Sequence, residues 1–173
     1  YPAIAARAFN AEAMVVARSG IGIYRNYNGP KKGSKDNMRD VYENILYTDY
    51  SNKWNFSNFT PQVVCVNLGT NDTSTEPYDA MLIIQGYQEF LKTLRSHYPK
   101  AKIVFVTGSM LNGKSLEDVT TILDLVVAEA KANGDKNVFR IDLTPSDGSL
   151  GYGADWHPSI AQNIKSSEEF KSK

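Results

Sequence analysis

Apolar residues along the 173-residue chain fall into two rhythms. Short continuous runs occur at Val63-Val-Cys-Val-Asn67, at Lys102-Ile-Val-Phe-Val-Thr-Gly108 and at Val138-Phe-Arg-Ile-Asp-Leu143. A run of this kind, ended by Gly or by polar residues, suits a strand of a parallel sheet covered on both faces. Glu12-Ala-Met-Val-Val-Ala17, small and β-branched residues before Ser19-Gly20, predicts a fourth strand. The second rhythm has a period near 3.6. It predicts helices over Asn37–Thr48 (Met38, Val41 and Ile45 on one face) and over Tyr78–His97 (Ile83, Ile84, Tyr87, Leu91 and Leu94 along one stripe). A third helix is expected from Ser115, whose Ser-x-x-Asp reads as an N-terminal cap, to Asn133-Gly134. Helical spacing also marks Tyr1–Asn10, and Pro158-Ser159 opens a last helix.

Strands alternating with helices make this an α/β chain with a parallel sheet, in one domain spanning 1–173 without repeat or linker. Three loops interrupt it. Gly20–Asp36 is too long for a mere connection and reads as a binding loop. Tyr50–Pro61 carries Trp54, Phe56 and Phe59 among Asn and Ser, and Ser146–Gly153 is rich in Gly and Ser.

Composition narrows the function classes. With 42% hydrophobic residues the chain can bury a substantial core. Nineteen basic and nineteen acidic residues cancel, so no footprint for nucleic acid or an anionic membrane exists. No apolar run reaches the roughly twenty residues that span a bilayer. The single cysteine, Cys65, lies mid-strand and is expected to pack in the core. No cluster has metal-ligand spacing, and Gly20-x-Gly22 lacks the third glycine of a dinucleotide loop, so neither metal nor cofactor is expected.

The candidate chemistry sits where the runs stop. Val63–Asn67 breaks into Gly69-Thr-Asn71-Asp72, polar groups at the carboxyl edge of the sheet, where open α/β folds keep ligands. Asp72 is expected to cap or brace that turn. Beyond the last strand, Asp155-Trp156-His157-Pro158-Ser159 brings one of only two histidines to the same edge. Imidazole titrates near neutrality and suits general base work. His97, at a helix end, reads as a solvated terminal residue.

Together these blocks resemble the SGNH (GDSL-like) hydrolases. Gly69-x-Asn71-Asp72 looks like the third block of that family, Asp155-x-His157-Pro-Ser like the fifth, and Arg18-Ser-Gly20-Ile-Gly22-Ile-Tyr24-Arg-Asn26 like the second. Their form is nearest to carbohydrate esterase family 2, which deacetylates plant polysaccharides. The resemblance implies a three-layer α/β/α, flavodoxin-like sandwich and a serine esterase acting on acetylated polysaccharide or oligosaccharide. It assigns His157 as the base, Asp155 as its acidic partner, and Asn71 with a glycine N–H as oxyanion donors; the glycine is Gly22 or Gly20, and Gly22 aligns better because Ser19 then takes the place of the first small residue. Asp155 stands two residues before His157; the commoner spacing is three, a place held here by Ala154, and some family members use a backbone carbonyl instead. Tyr24, Trp54, Tyr152 and Trp156 are expected near the site, with rings suited to sugar stacking or equally to packing. A secreted or periplasmic location follows from the resemblance alone.

One block is missing. No Gly-Asp-Ser occurs in the chain, and Ser19 and Ser109 lie at strand ends without a nucleophile motif. The expectation is therefore an N-terminally incomplete domain that lacks the first, central strand and takes its nucleophile serine from an upstream segment or a second chain. If no serine is supplied, the alternative is a non-catalytic carbohydrate-binding module. A nucleotide- or flavin-binding domain would explain the sheet but not the paired blocks.

Overall fold

The computed structural model describes residues 1–173. Three of the four expected strands form, β1 (Val63–Val66), β2 (Lys102–Thr107) and β3 (Val138–Asp142), all parallel and in the order β1-β2-β3. Val63 aligns with Lys102, and Ile103 with Val138. Around them run α1 (Pro2–Ala8), α2 (Met38–Val41), α3 (Ala80–His97), α4 (Gly113–Ala132) and α5 (Ile160–Lys171).

Helices α3 and α5 start where a side chain satisfies their free N–H groups. Asp79 accepts from Met81 and Leu82 N–H to open α3, and Ser159 Oγ accepts from Gln162 N–H at 3.1 Å to open α5. Helix α4 starts at Gly113, earlier than the Ser115 signature suggests. Ser115 lies inside the helix, and its hydroxyl donates to the Thr73 carbonyl. The segment expected to be helical to Thr48 stops at Val41 and continues as turns, closed by a bridge between Asn44 and Lys53. Its apolar spacing serves a compact loop, with Tyr42 against Phe56 and Phe90.

The core lies between the sheet and the α3–α4 pair. Ile103, Phe105, Ile83, Leu94, Val119 and Leu123 are fully buried, and Tyr87 meets Phe105 edge-on at 5.2 Å. Removing one such aliphatic side chain typically costs about 2–5 kcal/mol.

Two expectations fail, and they fail together. Glu12–Ala17 forms no regular element and pairs with no strand; Val15 is 66% exposed. Cys65 is exposed rather than packed. Val63 and Cys65 share one face of β1, that face is open, and β1 is hydrogen-bonded along one edge only. A β-prone segment becomes a strand only when an edge is available to pair with it. Between residues 14–18 and the Met38–Phe56 region lies an apolar cavity of about 560 Å³, lined by Met14, Val16, Ile21, Val41, Ile45 and Trp54 among others.

Candidate active site

The carboxyl ends of β1 and β3 carry the two candidate blocks. After β1 the chain turns at Gly69, whose φ of +101° favours glycine; a Cβ there would also stand 3.1 Å from Val119. Beyond it Asp72 is completely buried. Its carboxylate accepts from Ile23 N–H at 3.0 Å, Tyr24 N–H at 2.8 Å and Arg25 N–H at 2.9 Å. Burial pushes this carboxyl above its ordinary value, and the three N–H groups pull the other way. The bracing role expected of Asp72 is thus a clamp on the loop 20–26.

Asn71 reaches the same loop. Its amide nitrogen donates to the Ile21 carbonyl at 2.8 Å, which leaves its second N–H for another acceptor. Gly22 is held differently from Gly20. Gly22 N–H donates to Asn26 Oδ1 at 3.0 Å, and a Cβ on Gly22 would stand 1.9 Å from the Arg25 carbonyl oxygen. Glycine at 22 is therefore required by close backbone approach. Gly20, at φ +75°, donates its N–H to no group of the chain.

After β3, the loop 143–159 folds back on itself. Tyr152 bridges to Pro158, Gly153 N–H donates to the His157 carbonyl at 2.7 Å, and Ser159 Oγ donates to the Leu150 carbonyl at 2.7 Å. His157 is exposed, with Nδ1 3.0 Å from the Ala154 carbonyl oxygen and 3.1 Å from that of Asp155. Carbonyl oxygens only accept, so Nδ1 carries the proton and Nε2 of the neutral ring keeps its lone pair. The Asp155 carboxylate makes no hydrogen bond to the ring. Asp155 and Trp156 both have left-handed backbones, φ 49° and 61°. Each such non-glycine residue costs about 1–2 kcal/mol, and this conformation is what presents two carbonyls to the ring.

The expected aromatics part company. Tyr152 and Trp156 meet edge-on at 5.2 Å beside His157, and Trp156 is 77% exposed. Tyr24 is buried in the core, its hydroxyl accepting from Asp79 N–H at 3.1 Å, so it offers no face to a ligand. Trp54 lines the apolar cavity with an unpartnered Nε1. His97 stacks on Phe56 at 3.6 Å and contacts Glu43, a packing role away from the blocks.

Tyr1 reaches the end of β1, its hydroxyl accepting from Asn67 Nδ2 at 3.0 Å. Burial pushes the Tyr1 phenol up to about 12. Neither Tyr1 nor Asn26 stood out in the sequence, because a lone Tyr or a loop Asn carries no spacing signal.

Residues 1–170 match the family described as GDSL-like lipase/acylhydrolase. The chain is 41% identical over 162 residues to the cellulase/esterase CelE of Acetivibrio thermocellus, covering 93% of this chain and 19% of that protein. It is 29% identical over 170 residues to an acetylxylan esterase / glucomannan deacetylase of Cellvibrio japonicus, covering 98% and 45%. Among solved structures, a family two carbohydrate esterase from Clostridium thermocellum in complex with cellohexaose superposes with a TM-score of 0.92 at 38% identity, covering 98% of this chain and 51% of that one. The chain thus spans about half, or less, of the length of the proteins it matches.

Proposed function

The chain belongs to the GDSL-like lipase/acylhydrolase family, and from that premise we propose that it is an N-terminally incomplete domain of a serine esterase that deacetylates plant polysaccharides or oligosaccharides. The observation that carries this reading is the state of His157. With Nδ1 donating to the Ala154 and Asp155 carbonyls, its Nε2 is left as a base in the loop that follows β3.

In this reading a serine hydroxyl from outside residues 1–173 attacks the acetyl carbonyl carbon. His157 Nε2 takes its proton, and the carbonyl oxygen gains the negative charge. The free Asn71 N–H and a glycine N–H of the loop 20–22 stabilise that oxyanion. Collapse expels the sugar hydroxyl, protonated by His157, and leaves an acetyl-serine. Water, deprotonated by the same imidazole, then releases acetate. The ring orientation that an aspartate usually supplies comes here from backbone carbonyls. Tyr152 and Trp156 supply the apolar faces on which a pyranose stacks, and a secreted or periplasmic location follows from a polymeric substrate.

Three observations support an additional strand: Val63 and Cys65 are exposed, β1 has one free edge, and Met14–Ala17 has no strand partner. A strand inserted between these segments would pair both and bring its end to the Asn71 edge. Each backbone group left unpaired in a buried setting costs about 1–3 kcal/mol, so a handful rivals the 5–15 kcal/mol of a whole domain.

The exposed Trp156 also suits a second reading, a carbohydrate-binding module without catalysis. Aryl acetate hydrolysis by the complete protein separates the two. Turnover abolished by His157→Ala supports the esterase. Binding of oligosaccharide without any turnover supports the module.

A further inference from the structure

The loop 20–27 leaves a single backbone donor open. Ile21 N–H donates to the Arg18 carbonyl, Gly22 N–H to Asn26 Oδ1, and Ile23, Tyr24 and Arg25 N–H to the Asp72 carboxylate. Asn26 N–H donates to Ser34 Oγ and Tyr27 N–H to the Gly20 carbonyl. Gly20 N–H alone has no acceptor. Gly20 is half-buried, unlike Ile21 to Arg25, so its N–H is the one donor of the loop still open to an incoming oxygen.

We propose that Asp72 and Asn26 are positioning residues for acyl transfer: by taking up the N–H groups of residues 22–25 they fix the loop so that Gly20 N–H is its one free backbone donor, one residue from the Ile21 carbonyl that the Asn71 amide holds. The inference rests on the esterase reading above and assigns the glycine donor to Gly20 rather than Gly22. Asp72 acts as a rigid anchor because both its oxygens are filled by backbone, inside a site closed to water. Asn26 removes the competing donor. Without its Oδ1, Gly22 N–H is unpaired beside the Arg25 carbonyl oxygen, and the loop is free to rotate one peptide. Neither side chain touches the reacting atoms.

The test uses the complete protein, with Asn26→Ala, Asn26→Asp and Asp72→Asn, assayed on an aryl acetate and normalised to active enzyme by covalent titration. Asn26→Ala is expected to lower kcat about tenfold, short of the 10²–10³ for loss of an oxyanion donor itself, with KM within about twofold. Asn26→Asp, which keeps the acceptor, restores most of it. Asp72→Asn exposes an amide N–H to Ile23 N–H and is expected to lower kcat further. Amide exchange read on the same proteins should show Gly22–Arg25 protected and Gly20 fast, with Gly22 becoming fast in Asn26→Ala. A purely structural role would lower the titrated active fraction and leave kcat per active site unchanged; that result, or a protected Gly20 amide, overturns the positioning role alone. An inactive wild-type protein overturns the esterase reading itself, and the positioning role with it.

Discussion

His157 takes its orientation from Ala154: Nδ1 lies 3.0 Å from that carbonyl oxygen, with the Asp155 carbonyl at 3.1 Å and no hydrogen bond to the Asp155 carboxylate. His157→Ala in the complete protein should therefore reduce acetyl-ester hydrolysis by about 10⁴ or more. Asp155→Ala, which keeps the carbonyl, should cost less than about tenfold. Steady-state rates on one aryl acetate compare them; equal losses would make the Asp155 carboxylate the orienting group.

Asn71 has a separate signature. If its free N–H meets the oxyanion, Asn71→Ala should lower kcat by about 10²–10³ and leave KM nearly unchanged. A change confined to KM would make the Ile21 contact its whole role.

Trp156 and Tyr152 form the exposed aromatic pair beside the base. Trp156→Ala should weaken oligosaccharide binding about tenfold, some 1.4 kcal/mol, while hydrolysis of a small aryl acetate stays near normal. Calorimetric titration with a β-1,4-linked oligosaccharide reads the first quantity. The same wild-type protein should prefer acetyl to octanoyl esters, and faster turnover of the longer chain would count against a sugar substrate.

The strands, the helices and the two polar blocks were legible because each is written in local periodicity or in residues bunched at a strand end. Two errors have a common physical source. The strand at Glu12–Ala17 and the buried Cys65 both presuppose a neighbour on the outer side of β1, and β1 is an edge strand of the three-stranded sheet. Tyr24 misled for another reason. Its place in a loop suggested exposure, but Asp72 draws the Ile23–Arg25 backbone inward and the ring goes with it. The choice between Gly20 and Gly22 needed hydrogen-bond partners that no spacing reveals.

Stability should carry an acid limb from Asp135. Desolvation pushes its carboxyl up, but the Arg95 hydrogen bonds, the Asn137 N–H and the Arg95 charge outweigh it and hold the group below its ordinary value. A depressed carboxyl stabilises the fold above its unfolded value and loses that contribution as the pH falls through the folded one. Denaturant unfolding of the complete protein should weaken as the pH drops below about 4, and Arg95→Gln should flatten that part of the decline. An identical acid limb in the variant would show that the pair contributes nothing.

The origin of the nucleophile is the claim on which the esterase reading depends, and covalent labelling tests it most directly. The complete protein is treated with a fluorophosphonate, which phosphonylates an activated serine with loss of fluoride, and the modified peptide is located by mass spectrometry. The label should fall on one serine outside Tyr1–Lys173, and His157→Ala should abolish it. A label on Ser19, Ser109 or any other serine within the 173 residues would contradict the account.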